Sequence, residues 1–203
     1  MVHTAPIEHL QRLNSREEFE RFVTQSRRRW SDLWEGDRTV VSVGVGTSSI
    51  AKGALDVLAA ARKQEGGTTI VREVSGNGAL WMEPWVEVKR PGEPPVVYGN
   101  VSPDDISAVI TGARQDLAVG VRAAESYNGI PSLADDPFFG NQQQIITRNA
   151  GVIEPESIED AIARGAYQGY FKVLFEMSGD EAIEEVTTAN VRGRGGGGFP
   201  AGI

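Results

Sequence analysis

The stretch from Thr39 to Val74 reads strand, helix, strand: TVVSVGV (39–45), SSIAKGALDVLAAARKQ (48–64) and TTIVREV (68–74). A unit this short leaves one economical solution, a parallel pair of strands joined by a right-handed crossover. The first segment is rich in β-branched residues and reads as a buried strand. In the middle segment helical spacing turns Ile50, Leu55, Leu58 and Ala61 inward and Lys52, Arg62 and Lys63 outward, and Gly66-Gly67 ends it. Downstream, WVEVKR (85–90) and PVVYGNV (95–101) alternate around a Pro-Gly-rich turn at 91–95, the signature of a hairpin. SPDDISAVITGA (102–113) then opens a helix, with Ser102 as cap, Pro103 at the first helical position and Asp104 and Asp105 in the first turn.

The resulting order, β-α-β-β-β-α, predicts an α/β domain of the thioredoxin-like kind over 39–113. Residues 1–38 are expected to form an N-terminal helical extension. Within it, Ser15 and Glu18 match a capping box and Phe19, Phe22 and Val23 share a face, predicting a helix over 15–30. Arg27, Arg28 and Arg29 then fall in its last turn, where they complement the helix dipole. Residues 114–178 are a linker with a helix. Glycine, proline and ADD at 114–137 read as a surface connector, and NQQQIITRNAGVI (141–153) as a short extended stretch. The segment 154–178 carries a helix whose face would be Ile158, Ala161, Ile162, Tyr170, Val173 and Leu174, with Gly165 and Gly169 as points of division. A further helix at 178–191 is capped by Ser178 or Asp180, and 179–203 closes the chain.

Composition excludes several chemistries. The formal net charge of −8 argues against a nucleic-acid partner, which needs a basic face. No apolar run approaches the roughly 18 residues of a membrane span. The N-terminus lacks the apolar centre of a signal peptide, so a cytoplasmic location is expected. Cysteine is absent, which removes disulfides, thiolate nucleophiles and all-cysteine iron–sulfur ligation. The two histidines, His3 and His9, both lie near the N-terminus, which argues against a histidine metal site or a Ser-His-Asp triad.

Three constellations remain. Gly44-Val45-Gly46-Thr47-Ser48-Ser49 follows a strand and opens a helix, a partial dinucleotide fingerprint with serine in place of the third glycine. The other reading is a tight turn capped by Thr47 or Ser48. In SGNGALWMEP (75–84), Asn77-Gly78 favours a turn; Trp81, Met82 and the following Trp85 cover either a core or a partner. The third is VRGRGGGGFPAGI (191–203). Gly193, Gly195, Gly196, Gly197 and Gly198 can line up backbone N–H groups as a concave anion nest. Arg192 and Arg194 can add charge-assisted bonds to phosphate, and Phe199 offers a flat apolar surface. Such a loop suits a nucleotide-like cofactor; a Gly-rich tail without a ligand is the other reading.

RGRGGGGFPAGI (192–203) resembles the FMN-binding loop of the flavoprotein (FMN/NADH-binding) subunit of NADH dehydrogenases, a loop shared with NAD-linked hydrogenases and formate dehydrogenases. ITRNAGVIEPESIEDAIARGAYQGYFKVL (146–174) is similar to the lead-in to that domain. The resemblance spans about residues 39–203, because the long members begin with a thioredoxin-like [2Fe–2S] domain. It implies that Arg192, Gly193, Arg194, Gly195–Gly198 and Phe199 hold FMN, and that 179–203 starts an FMN/NADH-binding domain. It also implies that the chain is the N-terminal portion of a longer NADH-oxidising subunit. There NADH would pass a hydride to FMN and electrons would move on to iron–sulfur centres, with the NAD site and the [4Fe–4S] ligands beyond Ile203. The family's four cluster cysteines fall on Gly44, Ser49, Gly76 and Leu80, and Ala150 stands where a cysteine is common, so no [2Fe–2S] centre is expected in this chain. Trp81 and Trp85 are expected to be largely buried, either in the core or against another subunit, with Leu80 and Trp81 packed in place of the inorganic core. No residue here is implied as acid, base or nucleophile, and the implied partners are the other subunits of an oxidoreductase complex. Two other functions compete: a non-catalytic docking module using Trp81 and Trp85, and a small dinucleotide-binding protein using Gly44 and Gly46.

Overall fold

The structure is a computed structural model and describes residues 13–203, so His3 and His9 lie outside the described residues. Helix α1 (Arg16–Glu35) starts at Ser15, whose Oγ accepts the Glu18 N–H at 3.2 Å. Glu18 reaches back to the Asn14 N–H at 2.7 Å, so the expected Ser/Glu cap is formed one residue off the usual reciprocal pattern. The helix does not stop at 30. Trp30 and Trp34 continue its apolar face, their rings 5.7 Å apart. Arg27, Arg28 and Arg29 therefore lie mid-helix, and the last-turn reading is corrected; Arg29 instead faces Glu159 at 3.4 Å.

Strand β1 (Thr39–Val45) matches the sequence reading and is followed by α2 (Thr47–Ala51) and α3 (Ala54–Arg62). One helix was expected here; Gly53, in the left-handed region at φ +93°, divides it. The division rotates the apolar face. Ala54, Val57, Leu58 and Ala61 are buried, whereas Ile50 and Leu55, expected inward, are exposed. Strands β2 (Thr69–Ser75), β3 (Val86–Lys89) and β4 (Val96–Tyr98) follow. The last expected helix of the domain begins as a 3₁₀ turn at Pro103–Asp105, where the Ser102 N–H donates to Asp105 at 2.9 Å, and becomes α4 (Ile106–Thr111).

A fifth strand, β5 (Ala118–Val121), lies in the stretch read as connector. Its sequence, AVGV, is short and broken by Gly120, over which the Leu133 side chain packs so closely that a Cβ would overlap it. The sheet order is β2-β1-β3-β4-β5. The pair β1–β2 is parallel and the remaining pairs are antiparallel, the arrangement expected of a thioredoxin-like domain with one strand added at the edge.

Alternation along the strands sorts two cores onto the two faces. Val41, Val43, Val86, Val88, Val96 and Tyr98 pack under α3 and α4. Val74, Met82, Trp85, Val97 and Leu133 pack on the opposite face. Arg90 fixes the end of α4 by donating to the carbonyls of Val109 at 2.7 Å and Ile110 at 2.8 Å, and to the Tyr98 hydroxyl at 3.0 Å.

After α5 (Pro137–Gly140) the chain turns repeatedly through 144–156, so the extended stretch expected at 141–153 is absent. The helical stretch read at 154–178 is divided into α6 (Ile158–Ala163) and α7 (Gln168–Glu176). The break falls at Gly165, φ +97°, while Gly169 sits inside α7. Of the expected face only Ile162 is buried; Tyr170, Val173 and Leu174 are exposed. Helix α8 (Gly179–Thr188) starts at Ser178, which exchanges bonds with Glu181 at 3.3 and 2.8 Å. Phe19 of α1 stacks on Phe171 of α7 with ring centroids 3.6 Å apart.

Candidate functional site

Beyond α8 the backbone folds back on itself. Arg192 bridges antiparallel to Pro200, the Gly193 N–H donates to the Phe199 carbonyl at 2.8 Å, and the Ala201 N–H donates to Val191 at 2.8 Å. The single Thr187 hydroxyl proton lies between the Ile183 carbonyl of α8 at 2.8 Å and the Gly202 carbonyl of the loop at 2.9 Å. The result is a closed loop, not a loose tail. Gly196 (φ +109°) and Gly198 (φ +60°) take left-handed conformations that side chains resist.

Closure leaves the backbone N–H groups of 194–198 without an acceptor among the described residues. Open space lies over Gly195, Gly196, Gly197 and Gly198, where an added Cβ would meet nothing. Arg192 and Arg194 are exposed and make no ion pair among the described residues. Phe199 is exposed on the same loop. The structure thus brings all eight sequence-identified residues together on one exposed turn. Free N–H donors beside two uncommitted guanidinium groups form a charge pattern that fits a phosphate. The donors suit the phosphate end of FMN, whereas the described residues build no closed pocket around the loop for its ring system.

The sheet end carrying Gly44 and Gly46 is built differently. The Gly44 N–H donates to the Trp85 carbonyl at 3.1 Å, and any side chain on Gly44 would overlap Cε2 and Nε1 of the Trp85 indole. The Gly46 N–H is taken by Ser49 Oγ at 2.7 Å, so the backbone donors of both fingerprint glycines are committed within the chain. The geometry of Gly44 and Gly46 is that of a tight turn closed by Ser49, the second of the two readings.

Around this turn Trp85 is fully buried, but Trp81 is 51% exposed and Leu80 57% exposed. Trp85 takes the core place expected of it, whereas Leu80 and Trp81 do not fill this chain's interior, which corrects that half of the expectation. The 3₁₀ turn Leu80–Met82 sends Met82 inward and leaves Leu80 and Trp81 on the outer side. Lys52 holds the turn by donating to the carbonyls of Leu80 at 3.0 Å and Glu83 at 3.3 Å. Glu83 is buried and accepts the Ser48 hydroxyl at 3.0 Å.

The four positions matched to cluster cysteines do not suit an iron–sulfur centre. Gly44 lies under an indole, Ser49 is committed to its own turn, Gly76 has no side chain, and Leu80 points to solvent. Among the described residues no group of three or more metal-ligating side chains exists. None of the described helices is long and apolar enough to cross a membrane.

No protein-family model matches the chain. Over 62 residues, 30% of this chain, it is 52% identical to the NADP-reducing hydrogenase subunit HndC of Solidesulfovibrio fructosivorans. Over 61 residues, also 30% of this chain, it is 38% identical to an NADH-quinone oxidoreductase subunit of Rhizobium meliloti (strain 1021). Over about 30% of its length this chain is homologous to those two proteins. It spans 12% and 14% of their lengths. Among solved structures, a thioredoxin-like [2Fe–2S] ferredoxin from Aquifex aeolicus aligns over 43% of this chain and 96% of that chain, with 20% identity and a TM-score of 0.36.

Proposed function

We propose that this chain supplies the phosphate-binding loop of the FMN site in an NADH-oxidising flavoprotein subunit of an oxidoreductase complex. The observation that carries the reading is the closed loop at 192–200, with unpartnered N–H groups flanked by Arg192 and Arg194. FMN held there would supply the chemistry of taking up a hydride from NADH and passing electrons on singly. This chain's part is to bind and orient. The N–H groups of 194–198 would hold the phosphate oxygens, Arg192 and Arg194 would neutralise its charge, and Phe199 would cover the ring edge. Both curated relatives are named for NADH or NADP chemistry, which supports the reading. The NAD site and the [4Fe–4S] ligands are assigned to parts of a longer protein, and no electron route is assigned through the sheet domain.

Fluorescence titration of the purified chain with FMN, and with riboflavin as the phosphate-free control, tests this reading. One loop without a ring pocket should bind FMN weakly, at roughly millimolar Kd. Riboflavin and the Arg194→Ala variant should bind more weakly still, and the chain should not oxidise NADH. Equal affinity for FMN and riboflavin would overturn the assignment.

A second reading, a docking module, rests on a separate observation. Ile50, Leu55, Leu80 and Trp81 are all exposed, and Lys52 fixes the turn bearing Leu80 and Trp81. A rigid exposed tryptophan is characteristic of interface anchors. Addition of the other complex subunits should blue-shift Trp81 emission; emission that stays solvent-like removes this reading.

A further inference from the structure

The segment 149–160 begins without regular secondary structure, yet the sheet holds it at consecutive residues. The Gly151 N–H donates to Ser75 Oγ at 3.1 Å. Gly151 itself lies on the Trp85 indole: at φ +72°, an added Cβ would sit 3.2 Å from Cζ2 and Cη2 of that ring. The next carbonyl, Val152, accepts from Arg72 Nη1 at 3.1 Å. Arg72 Nη2 bonds Asp160, and Arg72 Nε lies 3.5 Å from Glu154. Asp160 also accepts the Glu154 N–H at 3.1 Å. From the other side, the rings of Trp30 and Trp34 each lie 5.4 Å from the Arg72 guanidinium carbon.

The dependence runs both ways. Arg72 stands on β2 with its side chain only 3% exposed, and its hydrogen-bonding and ionic partners all come from 152–160. A buried guanidinium stripped of those partners is strongly unfavourable. The turns at 149–157 in turn need partners for their backbone groups, which Ser75 and Arg72 supply. Residues 158–203, including the glycine loop, continue directly from this segment.

We propose that this end of the sheet is a socket for residues 150–160, and that the sheet domain's contribution is positional: it seats the segment that carries the glycine loop. The Trp85 indole between Gly44 and Gly151 forms the floor of the socket, and Arg72 between Trp30, Trp34 and Asp160 forms the latch. The socket stands on contacts within this chain and does not depend on what the glycine loop binds.

Hydrogen–deuterium exchange on the full chain tests this, comparing wild type with Arg72→Met and with Gly151→Val. Each variant should speed exchange in peptides covering 149–163 about tenfold or more, while β1, β3 and β4 peptides stay within about twofold. The double variant should add little, because loss of either the floor contact or the latch already releases the same segment. Unchanged protection at 149–163 in both variants would overturn the socket. So would equal loss in the sheet peptides, or failure of both variants to fold, because the sheet would then depend on the segment as one inseparable core. Arg72→Lys, which keeps the charge without the two-pronged geometry, should fall between wild type and Arg72→Met.

Discussion

The sheet domain and the C-terminal helices are made by different means. Around the sheet, Val41, Val43, Val86, Val88 and Trp85 are fully buried, and both faces carry a core. In α7 and α8 no residue is buried, although Leu174, Phe175, Ile183 and Val186 are all large and apolar. Helix α8 is nonetheless well formed locally: Ser178 and Glu181 cap each other at its start. Local caps suffice to shape a helix, but most of a helix's stability in a protein comes from packing an apolar face. The sheet domain is thus built around two cores of its own, whereas apart from Phe171, which stacks on Phe19 of α1, the large apolar side chains of α7 and α8 stay exposed or half-exposed among the described residues.

The largest expected effect is at the sheet end. Trp85→Ala should destabilise the sheet domain by about 3–5 kcal/mol, read by chemical denaturation, because a fully buried indole leaves a cavity behind. Gly44→Ala should cost about 1–3 kcal/mol, since its methyl group would overlap the Trp85 ring. Combining the two should cost less than their sum, because removing the ring clears the overlap. Additive costs would show that the ring does not rest on Gly44.

Two carboxylates sharpen the contrast through opposite pH responses. Hydrogen bonds from Ser102, and then the charge of Arg114, hold Asp105 below the usual carboxylate range. Its folded pKa is lower than its unfolded one, so its stabilisation is present above the unfolded value and is lost as pH falls through the folded value. Asp105→Asn should flatten that part of the acid-unfolding profile. Glu154 behaves oppositely. Burial raises it, with the nearby Arg72 charge opposing. The folded protein holds its proton more tightly than the unfolded chain, so its contribution grows as pH falls through the folded value towards the unfolded one. Glu154→Gln should leave stability at pH 7 unchanged or raise it by less than about 1 kcal/mol, because Arg72 keeps Asp160. A large loss would show that the Glu154 charge itself closes the socket.

The smallest effect is expected in the tail. Leu174→Ser on α7 should change thermal stability by no more than about 0.5 kcal/mol, since Leu174 is exposed. A cost comparable to Trp85→Ala would erase the distinction between the two regions.

Much of the sheet was legible because its signals are local. The β-branched run at 39–45 gives β1 with both ends correct, and the Pro-Gly turn at 91–95 gives the hairpin. The glycine loop was legible for the same reason, all eight residues being neighbours in sequence. What was missed depends on distant partners. AVGV looks like connector until Leu133 packs over Gly120. Leu80 and Trp81 look like core residues because nothing local shows that Met82 and Trp85 already fill the interior. Arg72 gave one faint signal, a basic residue beside Glu73 in the middle of the strand TTIVREV. Its meaning depends on Asp160, 88 positions later.

The claim that the glycine loop is the phosphate end of an FMN site is tested most directly by amide-resolved NMR. A ¹⁵N-labelled chain would be titrated with FMN and, separately, with riboflavin. FMN should shift the amides of 192–199, riboflavin should leave them nearly unmoved, and the sheet-end amides of 44–49 should stay still under both. Shifts centred on 44–49, or no shift at 192–199 up to millimolar FMN, would contradict the account.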